Sequence, residues 1–309
     1  MRPSDRKTAA ALQDALTVFN DKLHALPGIR GRNRRQAFME QVIESIRRVQ
    51  YVGVLNGRKI SAECADPSND CFDPLKAAIV HKRNGNTDDA FWLVFMFVHF
   101  GKHARGGWRY IREIYGRFGE GGLWDWASTS ADVDGFRAWL HAHTDRLRRA
   151  DAPGGFGNHR KYESLDAKSE NGTGSVVESY VKWVNPPRTH AILMADALTQ
   201  AGNDPSKAFG NLYDSMDALK RFGRTARFDY LTMIGKLGLA NIAPGSPYMV
   251  GATGPLKGAA LLFKVAGPPT RLDDLTRELG NHLGVGMQVM EDSLCNWQKS
   301  PAKFKPFRG

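Results

Sequence analysis

The chain has 309 residues, a formal net charge of +11 and a sequence pI of about 9.6, with 42% hydrophobic and 24% charged residues. Such a composition excludes a disordered tail and allows a large core in one or two domains, while the basic excess favours an anionic partner: nucleic acid, a phosphorylated substrate or an acidic membrane surface. Three cysteines, Cys64, Cys71 and Cys295, are too few and too odd in number for a disulfide framework and read as reduced thiols of a cytoplasmic protein.

In chain order the sequence predicts helix after helix. The opening Met1–Ala10 is polar and charged, so no secretory leader is expected. Residues 5–26 look amphipathic and end at Pro27-Gly28. A basic cluster, Arg30, Arg32, Arg34 and Arg35, leads into a second helix over about 35–52, with Phe38, Val42, Ile46 and Val49 on one face. Asp73-Pro74 is a helix start, an N-cap acid followed by proline at the first helical position, and that helix stops near Gly85. Asn86-Thr87-Asp88 opens a helix over 89–100 whose run FWLVFMFVHF is too short to span a bilayer and reads as buried. After Gly106-Gly107, GWRYIREIYGRFG predicts one more helix, and 132–149 another. Residues 151–174 are rich in Gly, Asn and Ser, without periodicity. They read as a functional loop or as a linker between two helical lobes. Helices resume at 174–184, after Asp204-Pro205, over Phe222–Gly238, in a short segment after the Gly/Pro-rich stretch, and at 271–283 and 286–298. The expected fold is therefore mainly α: one compact domain over 1–309, or two tightly packed lobes with a boundary near 151–174.

Several clusters could carry chemistry. In Phe222–Gly238, Arg224 and Arg227 fall on the same side as Leu231 and Ile234. A guanidinium on an apolar stripe is costly unless paired, so the two either form structural ion pairs, with Glu178, Glu291 or Asp292 as candidates, or face an internal anion site. Asn158, His159, Arg160, Lys161 and Tyr162 form a donor-dense turn beside Gly154, Gly155 and Gly157, which would let backbone approach a ligand. Gly172-Thr173-Gly174 precedes a helix start, a natural anion position, with Glu178 one turn in. His99 and His103, four apart, could bind a metal, but no third ligand is evident. The expectation is no metal, with the pair lining a pocket or satisfying a helix end. Lys102, Arg105, Arg109 and Arg112 form a dense basic stretch that is either a solvated face laced by Glu113 or a phosphate-contacting surface. The tail adds Lys299, Lys303, Lys305 and Arg308 without an acid.

GKHARGGWRYIREIYGRFG, GFGNHRKYESLDA, GTGSVVESYVKWV, FGRTARFDYLTMIGKLGL, ATGPLKGAALLF and GMQVMEDSLCNWQKSP together resemble the α-glutamyl/putrescinyl thymine pyrophosphorylases, third clade, from about residue 35 to the C-terminus. The resemblance implies an α-helical protein of DNA thymine hypermodification, in which an amine such as glutamate's α-amine or putrescine displaces phosphate or pyrophosphate from a phosphorylated 5-hydroxymethyluracil. It implies DNA and an amine or amino-acid co-substrate as partners, and no cofactor is expected. The residues themselves nominate Arg224, Arg227, Glu291, Glu178 and His159 as catalytic. Asn158, Arg160, Lys161, Tyr162, His99, His103 and Asp229 are nominated for substrate, and Arg30, Arg32, Arg34, Arg35, Lys102, Arg105 and Arg109 for nucleic acid. A non-catalytic DNA-binding module, as in phage defence, and a glycosylase-like enzyme for modified bases remain the alternatives.

Overall fold

A computed structural model describes residues 3–149 and 153–306; Arg308 of the basic tail and Asp151 and Ala152 of the irregular segment lie outside them. Among the described residues there are fourteen α-helices and no strand, as the pattern of capped apolar stripes predicts. They are α1 (Arg6–Lys22), α2 (Arg32–Gly57), α3 (Pro74–Arg83), α4 (Thr87–Phe100), α5 (Arg109–Tyr115), α6 (Trp126–Ala131), α7 (Val133–Arg148), α8 (Thr173–Val184), α9 (His190–Gln200), α10 (Pro205–Ser215), α11 (Arg224–Leu237), α12 (Gly254–Phe263), α13 (Pro269–His282) and α14 (Met287–Trp297). No helix among these residues is long and apolar enough to cross a membrane.

The chain divides into two compact units, Met1–Val54 with Pro244–Gly309, and Leu55–Ala243. The unit edges thus fall in the last turn of α2 and in the loop after α11, while the irregular 153–172 stretch lies inside the second unit. The first unit is built from the chain's two ends. Its core joins Leu16 and Phe19 of α1, Phe38 and Val42 of α2, Leu262 of α12, Leu279 of α13, and Met290, Leu294 and Trp297 of α14. Trp297 meets Phe38 edge to face at 5.2 Å. Helices α12 and α14 approach so closely that a Cβ at Gly258 would overlap the backbone and side chain of Leu294, which is why glycine stands there.

The second unit is organised around α4, which is buried over almost its whole length because FWLVFMFV leaves it no polar face. Asp73 starts α3 as expected, its carboxylate accepting the Leu75 and Lys76 N–H groups, and its second oxygen accepts the Trp108 indole N–H at 3.0 Å. A polar chain crosses this aromatic core. Asp88 accepts the His190 Nδ1–H at 2.7 Å, His190 Nε2 accepts the Tyr180 hydroxyl at 2.7 Å, and the Tyr230 hydroxyl donates to Tyr180 at 2.8 Å. His190, Tyr180 and Tyr230 are fully buried, and burial pushes both phenols up and the imidazole down. Each donor has an acceptor, which makes the buried polarity tolerable.

The helices differ from expectation in several places, among them the ends of α1 at Lys22 and of α2 at Gly57. GWRYIREIYGRFG is not one helix, since α5 ends at Tyr115 and Arg117 and Phe118 take positive φ of 48° and 56°. Two short helices, α6 and α9, had no counterpart in the sequence reading. Each spans only a few turns and is set by a side-chain cap, Asp125 onto Ser128 N–H and Thr189 onto Ile192 N–H. Short helices owe their stability to caps and packing more than to periodicity.

Candidate functional site

The 156–163 turn is fastened to the end of α4, whose last carbonyls need partners. Phe156 stacks on Phe100 at 5.4 Å and meets His99 and Tyr110 edge-on. Gly157 N–H then donates to the Phe100 carbonyl at 2.7 Å, and Arg160 Nε donates to the Val98 carbonyl at 2.7 Å. The remaining edge of the Arg160 guanidinium reaches Asp229 of α11 at 3.2 Å. Arg160 is 12% exposed and Asp229 46% exposed at the side chain, so the pair is anchored on the protein side and open on the carboxylate side.

Asp229 is the acid that the 156–163 turn reaches through Arg160. Loss of surrounding water on its protein side pushes its carboxyl above the usual carboxylate range, while Arg160, then Arg224, Lys236 and His159, pull in the opposite direction. Arg224 also lies over the Phe228 ring, 4.8 Å from its centroid. The structure thereby brings together His159, Arg160, Arg224 and Asp229, with Lys236 as a cation that the sequence reading missed. Lys236 stands seven residues after Asp229, two helical turns along the same face, a spacing that could have flagged it.

Other nominated residues are engaged elsewhere. Arg227 donates to Asp217 and to the Tyr213 carbonyl, and its guanidinium covers the Tyr213 ring at 4.4 Å. This is an ion pair of the kind anticipated, but with Asp217, not with Glu178, Glu291 or Asp292. Asp292 is held by Arg48. Glu178 is held by Lys182 one turn on and by Arg137 at 2.6 Å, and these contacts, Lys182 foremost, keep its carboxyl low. The acid that the 156–163 turn reaches is Asp229, through Arg160. Glu291 stands half-buried on α14 of the first unit. Because Arg227 is only 14% exposed but Asp217 is 75% exposed, Arg227→Met is expected to cost about 1–2 kcal/mol, the range of a partly exposed pair with its ring contact. Turnover per folded molecule should persist. Thermal melts alongside an activity assay check this, and full stability with lost turnover would return Arg227 to the site.

The glycines have a different use from the one expected. A Cβ at Gly154 would strike the Arg109 guanidinium, one at Gly155 would press on the His103 ring, and one at Gly157 would press on the Gly101–Lys102 backbone. They permit close packing of this segment on residues 101–109, and no ligand is needed to explain them. The start of α8 is similarly filled. Gly174 N–H donates to the Asp166 carbonyl and Thr173 N–H to the Ser164 carbonyl, and a Cβ at Gly172 would overlap Asp166. Backbone of 164–169 occupies the place where an anion was expected.

His99 and His103 do not converge on a metal, and no group of metal-ligating side chains occurs among the described residues. The Thr173 hydroxyl donates to Ser164 O at 2.6 Å, so it accepts the His99 Nε2–H at 3.0 Å. His99 is a buried neutral imidazole, pushed by burial to about 3, with Arg160 and Arg221 adding to the effect. His103 Nδ1 accepts Gly106 N–H at 2.9 Å and closes a tight turn. Asn158, Lys161 and Tyr162 are exposed at the turn's surface.

Of the basic residues nominated for nucleic acid, Arg30, Arg32 and Arg34 are exposed in the first unit, and Arg35 is partly buried, donating to Gln13 O and Thr17 Oγ1. Lys102 and Arg105 are exposed in the second unit. Arg109 is not available to phosphate. It is 7% exposed, paired with Glu113 at 2.7 Å and bonded to the Leu147 and Pro153 carbonyls. Its i,i+4 acid and the orphan carbonyls at the end of α7 pull it inward. Arg112 likewise pairs with Asp70.

A sequence model of the family described as alpha-glutamyl/putrescinyl thymine pyrophosphorylase clade 3 matches residues 33–309. No curated protein and no solved structure matches the chain.

Proposed function

Since the chain belongs to the alpha-glutamyl/putrescinyl thymine pyrophosphorylase family, in its third clade, a name that implies a pyrophosphorylase-like step in thymine hypermodification, we propose that it modifies DNA by amine substitution at a phosphorylated 5-hydroxymethyluracil. The observation that supports this reading is the Arg160–Asp229 ion pair at 3.2 Å, with Arg224, Lys236 and His159 near enough for their charges to act on the same carboxyl. In the reaction an amine nitrogen forms a bond to the base's exocyclic methylene carbon. The carbon–oxygen bond to phosphate or pyrophosphate breaks, and its electron pair leaves with that group. The amine is stored as an ammonium and must first lose a proton. A carboxylate whose pKa is raised holds a proton more tightly than an ordinary one, which suits the acceptor role, and Asp229 takes it. The surrounding cations oppose the charge that develops on the leaving oxygen. Free cysteines, of which Cys71 is exposed, support a reducing, cytoplasmic setting.

The test is mass spectrometry of nucleosides after incubating the protein with DNA that carries pyrophosphorylated hydroxymethyluracil and a pool of amines. An amine-substituted thymine is the expected product. Unchanged nucleosides with all amines tried would leave a binding module, and a released free base would indicate a glycosylase.

DNA engagement itself is expected to rest on phosphate contacts from exposed cations, Arg30, Arg32 and Arg34 of the first unit and Lys102 and Arg105 of the second being the candidates. Each phosphate contact made should lower affinity by a further factor of about 3.5 between about 50 and 200 mM salt. Fluorescence anisotropy over a salt series measures the slope, and a flat slope would remove DNA as the partner.

A further inference from the structure

Resting on that DNA reading, we infer that Tyr162 is a base-stacking contact, an aromatic platform on an anchored turn against which an unstacked nucleobase of the substrate lies. The residue is 79% exposed, the most exposed of the large apolar residues described. An aromatic ring that open is ordinarily on a mobile loop, but here the backbone is fastened on both sides. Arg221 donates to the Tyr162 carbonyl at 3.1 Å and pairs with Glu163 at 3.3 Å, and Glu163 N–H donates to the Arg160 carbonyl at 2.9 Å. Arg160 is in turn bound to Val98 and Asp229. The backbone that carries the ring therefore loses little freedom when something stacks on it.

The charges around the ring select the occupant. Lys161 Nζ lies 5.1 Å from the ring centroid, and exposed His159 and Arg221 flank the same turn. Cations beside an open aromatic face suit a polyanion with planar bases, where phosphates meet the cations and a base meets the ring. An acidic protein segment would use the cations but leave the ring idle. Because the same turn carries Arg160 onto Asp229, a base stacked on Tyr162 is held next to the proposed reaction centre.

The full-length protein is tested with a single-stranded oligonucleotide containing 5-iododeoxyuridine. Irradiation should give an adduct that maps to Tyr162. In binding titrations Tyr162→Ala should weaken affinity about tenfold, within the range of one lost stacking contact, while Tyr162→Trp restores it. The salt slope should be unchanged for Tyr162→Ala and reduced by about one for Lys161→Ala, as expected for loss of a phosphate contact. Tyr51, 57% exposed on α2, is the control, and Tyr51→Ala should bind normally. If Tyr162→Ala binds within twofold of the parent, the stacking role is overturned and the DNA reading stands. If the parent protein binds no DNA at low salt, both fall together.

Discussion

Replacing Asp229 with asparagine is expected to lower amine-substitution turnover by about 10²–10⁴-fold, the usual scale for loss of a positioned proton acceptor. The amide keeps the size of the side chain and can still accept a hydrogen bond from Arg160, which reaches Asp229 at 3.2 Å. What disappears is the capacity to take a proton. Stability should change little. Packing already disfavours the charged form of this carboxyl, so removing the charge relieves a cost as well as an ion pair. The pH profile of the parent enzyme offers a second check. Asp229 works only when ionised, and its pKa is raised, so the acid limb should lie above the ordinary carboxylate pKa of about 3.9. Nucleoside mass spectrometry of parent and variant DNA products, with a melting curve for each, measures all three quantities. An Asp229→Asn protein with parental turnover would place the proton acceptor elsewhere.

The protein should also lose stability steeply as pH falls from about 6.5 to 4.5, where the unfolded chain's histidines take up protons. His99 and His190 are both buried and both have their folded pKa lowered by burial, His99 to about 3. A lowered folded pKa means that the folded state prefers the neutral imidazole. The stability is therefore fully present above the unfolded value near 6.5 and is withdrawn as pH drops toward the folded value. At about 1.4 kcal/mol per pH unit, two units cost roughly 3 kcal/mol at His99 alone. His190 adds in the same direction, with part of its loss offset by the Asp88 hydrogen bond. Calorimetric melting between pH 7.5 and 4.5 measures the slope. A His99→Gln protein, less stable at pH 7.5 but able to donate to Thr173, should show a shallower decline. Equal slopes in parent and variant would mean that His99 is not the titrating group.

Some of this protein was set by the sequence alone. Asp73-Pro74, the uninterrupted FWLVFMFV run and the last helix, expected over 286–298, each follow from short-range physics, and each stands where expected. The same local rules found the donor-rich 158–162 turn and Arg224. Partner choice was another matter. Asp217 and not Glu178 holds Arg227, and Glu113 draws Arg109 out of reach of phosphate. Ion pairing depends on which side chains come within a few ångströms, and helical periodicity gives a residue's face but not what that face meets. The glycines before Asn158 show the same limit. From the sequence their missing Cβ could serve a ligand or a neighbour, and the packing of Arg109, His103 and Gly101 against them identifies the neighbour. Tertiary structure alone also brought Arg160 from an irregular loop to Asp229 on α11, because the last carbonyls of α4 needed donors and the loop supplied them.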